Sequence, residues 1–181
     1  DAGLQVSTGA NNVAIGTSAM RQNDGTPSEN VAIGYIAMYE GTGDYNVAVG
    51  KGALRATDGN YNVGVGYNSG INLTTGQYNT LLGAKSGDTI TTGSRNLAIG
   101  YQALDNADTE SDNIAIGYDA LGGAVNGGEK NLAIGNYAGE AITSADNTVL
   151  LGYEAGKSIT GSTDSIGIGY QAGMTMGNQT I

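Results

Sequence analysis

The stretch "NVAIGYIAM", residues 30–38, decides the fold because close copies recur along the chain, among them "NLAIGYQAL" (96–104), "NIAIGYDAL" (113–121) and "SIGIGYQAG" (165–173). The glycine after each apolar pair, here called the closing glycine, stands at Gly16, Gly34, Gly50, Gly66, Gly83, Gly100, Gly117, Gly135, Gly152 and Gly169. Nine intervals span 153 residues, which gives a mean period of 17. A period this regular predicts a solenoid, in which each repeat forms one coil resting on its neighbours.

Each coil contains a short strand just before its closing glycine. In "NVAIG" the apolar residues alternate with small or polar ones, so Val13 and Ile15 point to one side of the strand. A second extended piece, "YxAL" or "YxAG", is expected next, and its small residues predict two closely spaced sheets. A polar turn then completes the coil. We predict an all-β fold, a parallel β-roll or β-solenoid of about ten 17-residue coils, as one domain over residues 1–181 with coils from about Val6 to Met176.

Composition limits the classes of function. The chain has 32 Gly and 11 Tyr, no His and no Cys, and a formal net charge of -10. The negative charge disfavours nucleic acids and anionic membrane surfaces as partners. No apolar run approaches the roughly 20 residues that span a bilayer, so we expect neither membrane insertion nor a signal peptide.

The residues that most enzymes use are missing. Without histidine or cysteine there is no imidazole base and no thiolate nucleophile. Lys85 and Ser86 are adjacent, but neighbours on a strand face opposite ways, which argues against a Ser-Lys dyad. The glycine-rich elements lead into another extended piece and not into a helix, unlike phosphate loops. We therefore expect no enzymatic activity.

One polar residue type recurs at the start of the strands. Eight coils begin with asparagine, at Asn12, Asn30, Asn46, Asn62, Asn79, Asn96, Asn113 and Asn131. Stacked amides can hydrogen-bond along such a column and satisfy backbone groups of the turns. We predict a structural ladder, in preference to an amide row that grips a ligand.

The large apolar residues alternate between two positions, counted from the closing glycine. Five coils carry Met20, Met38, Leu54, Leu104 and Leu121 at position +4, with Asn23, Gly41, Thr57, Ala107 and Ala124 at +7. The other five carry Gly70, Gly87, Gly139, Gly156 and Gly173 at +4, with Leu73, Ile90, Ile142, Ile159 and Met176 at +7. Leaving a core site empty creates a cavity and filling it twice overpacks it. The alternation therefore predicts one shared core site per coil.

Two groups of residues are candidate ligand sites. The tyrosines directly after the closing glycines are Tyr35, Tyr67, Tyr101, Tyr118, Tyr153 and Tyr170. Their rings could stack on sugars, although a ladder covering the coil edge is the preferred interpretation. The acidic run "DNADTESD" offers Asp105, Asp108, Glu110 and Asp112 as ligands for Ca²⁺, the only cofactor considered. Its spacing matches no calcium loop, so a solvated acidic turn is preferred.

The repeated core "NxVAIGxxA" strongly resembles the head repeats of trimeric autotransporter adhesins. The 17-residue form with "GYxAL" and a polar "TTG" turn is also similar to repeats of bacteriophage tail fibres. The resemblance covers nearly the whole chain and implies a parallel β-roll in which three chains assemble around a threefold axis. The coils here are longer than those of the autotransporter heads, so turn geometry and coil handedness do not transfer.

The residues themselves also argue for assembly. Valine, leucine and isoleucine form a stripe along the strands at Val13, Val31, Val47, Val63, Leu97, Ile114, Leu132 and Ile166. A second stripe runs beside it at Ile15, Ile33, Val49, Val65, Ile99, Ile116, Ile134 and Ile168. One short coil has a single interior, so whichever strand face is not inside needs a partner.

These observations favour a structural and adhesive segment of a homotrimeric fibre. The first expectation is a fragment of a virion tail fibre that meets a glycan or protein on the host surface. The alternative is the head of a bacterial trimeric autotransporter adhesin at the cell surface. An ice-binding solenoid is less favoured because it needs a flat threonine array, whereas adjacent threonines occur only at 74–75 and 91–92.

Overall fold

The computed structural model describes residues 9–22, 25–123, 127–161 and 163–173. Ten three-residue strands form one parallel sheet in chain order, with no helix in the described ranges. They are β1 (Val13–Ile15), β2 (Val31–Ile33), β3 (Val47–Val49), β4 (Val63–Val65), β5 (Thr80–Leu82), β6 (Leu97–Ile99), β7 (Ile114–Ile116), β8 (Leu132–Ile134), β9 (Val149–Leu151) and β10 (Ile166–Ile168). Each strand pairs with the next, which confirms the predicted parallel β-solenoid, with about nine turns. We number the coils 1 to 10 by their strands.

The closing glycines stack in a column that admits no side chain. At Gly100 φ is +133°, a region that L-residues rarely adopt. A Cβ atom added there would lie 2.3 Å from the carbonyl oxygen of Gly117 in the next coil. Both the backbone angle and the close approach of successive coils therefore require glycine at this position.

The segment after the closing glycine differs from the predicted second extended piece. It is a turn, in which Gln102 and Leu104 both have left-handed φ, at 55° and 53°. The Gln102 N–H donates back to Ala84 O (3.2 Å), and the Leu104 N–H donates forward to Ala120 O (2.9 Å). The turn is thus hydrogen-bonded to both neighbouring coils without forming a strand. The expectation of two sheets was wrong: the described residues contain one sheet, facing a layer of turns.

The interior is filled in two ways, as the alternation predicted. Leu104 at position +4 and Ile142 at position +7 are both fully buried. A Cβ atom on Gly87 would lie 2.8 Å from Ile90 Cδ1, and one on Gly139 would lie 2.8 Å from Leu121 Cδ2. A side chain at +4 would therefore collide with atoms that already occupy the space. Asn23, Ala124, Met176 and the outermost predicted boundary at Val6 lie outside the described residues.

Leucine replaces the small middle residue of a strand where the glycine type of coil occurs in succession. Leu81 lies in β5 and Leu150 in β9, and both are fully buried. Atoms of Leu81 approach within 2.7 Å of a Cβ position on Gly70 and 2.8 Å of one on Gly87. One strand leucine therefore fills space left by two glycine turns.

Candidate functional site

The outer face of the sheet is a long apolar feature of the described surface. The strand alternation left open which face of the sheet lies inside the coil. The structure places the small residues on the inner face, where Ala98 and Ala115 are fully buried. The first and third residues of β1 to β10, here called the outer strip, point away from the interior, and none of them is buried. Exposure reaches 56% at Ile15 and 67% at Ile168. Apart from Thr80, every residue of the outer strip is apolar.

The size of the outer strip follows from the geometry of the sheet. Ten strands about 4.8 Å apart give a length of roughly 45 Å, and three residues at about 3.3 Å give a width of roughly 10 Å. The strip therefore covers roughly 450 Å². Contiguous apolar patches of this size are about the largest that monomeric soluble proteins expose, and they often mark interaction surfaces.

The asparagines form one buried hydrogen-bonded column. The Asn62 Oδ1 atom accepts from the backbone N–H of Asn79 (2.9 Å), and its Nδ2 atom donates to Gly76 O (2.9 Å). The same pair of bonds recurs from Asn30 to Asn131. Both polar ends of each amide are thus engaged within the chain, so this column presents no free amide to a ligand.

The predicted tyrosine column lies on the surface and is interrupted. All six rings are exposed, from 42% at Tyr118 to 71% at Tyr170. Tyr101 stacks on Tyr118 with centroids 5.5 Å apart, and Tyr153 stacks on Tyr170 at 5.8 Å. At position +1, coils 3, 5 and 8 carry Lys51, Ala84 and Asn136 in place of tyrosine.

Two of the three interruptions are filled by other groups. The Lys51 ammonium lies 5.8 Å from the ring centroid of Tyr35 and 5.5 Å from that of Tyr67. In coil 8 the next residue, Tyr137, contacts Tyr118 and Tyr153 edge-on, at 5.1 and 6.0 Å. No described ring or ammonium from coil 5 contacts Tyr67 or Tyr101.

A second tyrosine column was missed at the sequence level. Tyr45, Tyr61 and Tyr78 precede the strand asparagines and stack face to face, at 4.8 Å with a 4° angle and at 5.2 Å with a 2° angle. The recurring triplets "DYN", "NYN" and "QYN" carried the signal. Because Tyr61 is covered on both faces, its ring could offer a sugar only its edge.

The proposed calcium ligands each have a separate partner. Asp105 accepts from Gln102 Nε2 (2.7 Å), and Asp112 pairs with Arg95 Nε (2.6 Å). The carboxylate of Glu110 caps a turn by accepting from three backbone N–H groups, and Asp108 accepts from the Thr91 hydroxyl. Within the described ranges, no three acidic side chains gather where a metal ion would fit.

Two of these carboxyl groups have shifted pKa values. Burial raises the pKa of Asp105 to about 6; the hydrogen bond from Gln102 opposes this shift, and the nearby charges of Asp88 and Asp119 add to it. The hydrogen bond from Arg95 lowers the pKa of Asp112. The run "DNADTESD" therefore combines a buried carboxyl group whose charged form is disfavoured with an ion pair at the surface.

The chain was compared with known proteins at three levels. No protein-family model, no curated protein and no solved structure matches it. In the described part of the chain, no helix has the length and apolarity needed to cross a membrane. The repeats and the surfaces they create are therefore the features that point to a function.

Proposed function

We propose that this chain is a structural and adhesive segment of a homotrimeric fibre. The observation that supports the proposal is the outer strip, because its side chains, apolar except at Thr80, run along the entire sheet and remain at least partly exposed in the single chain. Covering it would release roughly 25 cal/mol for each Å² of apolar area removed from water. A stability that depends on such covering is inseparable from assembly.

Threefold symmetry is the assembly that the repeat resemblance suggests. Each outer strip would face the common axis, so that three strips shield one another along the rod. A closed cyclic arrangement leaves no apolar edge exposed, whereas an open one would continue to add chains. The tyrosine columns, which directly precede and follow the strands in sequence, would then border the interface.

A bacteriophage tail fibre is the setting we favour, and the adhesive contact would be with a glycan or protein of the host surface. The head of a bacterial trimeric autotransporter adhesin is the alternative. Domains elsewhere in the full gene distinguish them, since a membrane anchor indicates the bacterial adhesin and a fibre chaperone domain the tail fibre.

Sedimentation equilibrium at micromolar concentration tests the assembly. The expected mass is three times the chain mass of 18.2 kDa. Replacing Ile99 in the outer strip by glutamate should dissociate or unfold the fibre, because it places charges together at the buried axis. Ile71→Glu is the matched control, since Ile71 is also half-buried but lies in a turn outside the strip. A well-folded wild-type monomer would rule the proposal out.

A further inference from the structure

At coil 5, where the first tyrosine column is interrupted, no described ring or ammonium group contacts the facing sides of two tyrosines. Ala84 is half-buried, and Tyr67 and Tyr101 lie one coil below and one coil above it, roughly 10 Å apart. Tyr67 is contacted by Lys51 from coil 3, and Tyr101 by Tyr118 from coil 7. The space between the two rings, over Ala84, is here called the Ala84 gap.

The column is interrupted between two tyrosines in two other coils, and both places are occupied. In coil 8 the occupant is Tyr137, which contacts Tyr118 and Tyr153 edge-on. In coil 3, Lys51 stands between Tyr35 and Tyr67, and its ammonium group lies within 6 Å of both ring centroids, at 5.8 and 5.5 Å. The faces of tyrosine rings carry negative potential that attracts such a cation. Coil 3 therefore shows that a cation fits a gap between two tyrosines of this column when no ring fills it from position +2.

From this internal precedent we infer that the Ala84 gap is a binding site for a small organic cation, such as an alkylammonium group, held between Tyr67 and Tyr101. The net charge of -10 favours the approach of cations over anions. This inference goes beyond the proposed fibre role and requires only that the gap stays open in the assembled protein.

Lys85, the residue after Ala84, does not fill the gap itself. Its ammonium group makes no cation–π contact with any described tyrosine, and its charge acts on Asp88. In coil 3 the cation belongs to position +1, whereas Lys85 occupies position +2, where the backbone is left-handed with φ 58°. Lys85→Ala should therefore strengthen binding or leave it unchanged, because a like charge beside the site is removed.

The test uses the full chain labelled with 3-fluorotyrosine, whose 11 tyrosine resonances are assigned by single Tyr→Phe variants. Tetramethylammonium chloride is titrated against sodium chloride at the same ionic strength. The resonances of Tyr67 and Tyr101 should shift together and saturate, with a dissociation constant in roughly the millimolar range expected of two exposed cation–π contacts. Tyr35 should not respond, because Lys51 occupies the gap on one side of its ring and position +1 of the coil on the other side is Thr17 and not a tyrosine.

Two variants provide matched controls. Ala84→Lys copies coil 3 and should weaken the response of Tyr67 and Tyr101 at least about tenfold. Lys51→Ala should create a second gap of the same kind, so that Tyr35 now responds with a similar dissociation constant. Melting and sedimentation of each variant separate this result from any failure of folding or assembly. Absence of a saturable shift in the folded protein, whatever its mass, or the same shift caused by neutral methyl glucoside and not by the cation, would overturn the inference.

Discussion

Coils 6 and 7 fill the interior differently from coils 8 and 9, although their strands share one register. In the first pair, Leu104 and Leu121 enter the core from position +4. In the second pair, position +4 is glycine and the core receives Ile142 and Ile159 from position +7, together with Leu150 from the strand. The comparison teaches that the repeat conserves buried volume and not the residue that supplies it.

The two types of coil also differ in backbone cost. Leu104 and Leu121 hold left-handed φ values of 53° and 49°, which cost an L-residue roughly 1 kcal/mol or more. Gly139 and Gly156, both at φ 65°, adopt this region without a Cβ penalty. The leucine coils thus carry local backbone strain at position +4. The glycine coils avoid this strain and fill the core with a side chain from position +7.

The largest expected effect comes from breaking a leucine coil. Leu104→Gly should lower the free energy of unfolding by about 4 kcal/mol, because the cavity and the added freedom of the unfolded chain outweigh the relief of strain. Adding Ala107→Ile should recover part of this loss, since it supplies the side chain that a glycine coil uses. Chemical denaturation at one fixed protein concentration measures both variants.

Coupling between the two sites decides whether they share one space. Ala107→Ile alone should destabilise the protein by about 1 to 3 kcal/mol, because Leu104 already fills the core. The double variant should therefore be more stable than the sum of the two single changes predicts. Simple additivity would mean that the alternation reflects two turn types and no shared site.

Much of this comparison could be predicted from the sequence, because period, strand alternation and the exclusive filling of +4 or +7 are local patterns. The left-handed turn could not be predicted, since neither glutamine at 102 nor leucine at 104 is a residue type that favours positive φ. The only hint was glycine at the same positions in other coils, such as Gly52 and Gly70. The separate partners of the acidic residues were also inaccessible, because Arg95 and Asp112 meet only through stacking of coils 17 residues apart.

Position +7 of coil 3 offers a way to sharpen the comparison. Thr57 occupies the place of Ile142 and is fully buried, but its hydroxyl has no hydrogen-bond partner among the described residues. Thr57→Val has nearly the same shape and removes the unsatisfied group, so it should stabilise the protein by about 1 kcal/mol. Thermal unfolding at a fixed protein concentration should show this stabilisation as a higher midpoint temperature.

A second threonine serves as the control. Thr89 Oγ1 donates to Ala107 O at 2.9 Å, so Thr89→Val should destabilise the protein by leaving that bond unmade. If both valine variants raise the midpoint, the greater hydrophobicity of valine accounts for the result and the unpartnered hydroxyl does not.

The smallest expected effect concerns Asp105, which is buried in coil 6, whereas Asp88 at the same position of glycine coil 5 is only half-buried. The pKa of Asp105 is about 6 in the folded chain against an ordinary 3.8. Because the folded state binds this proton more tightly, its stabilising contribution is complete below about pH 4 and is lost as the pH rises through 6.

Asp105→Asn removes the charge, so it should stabilise the protein at pH 7 by less than about 1 kcal/mol after solvent screening. It should also reduce the loss of stability between pH 4 and 7. Glu129→Gln, a change at an exposed carboxylate, should leave that pH dependence nearly unaltered. Equal pH profiles for the wild type and Asp105→Asn, measured by unfolding at several pH values, would show that burial of this carboxyl group has no cost.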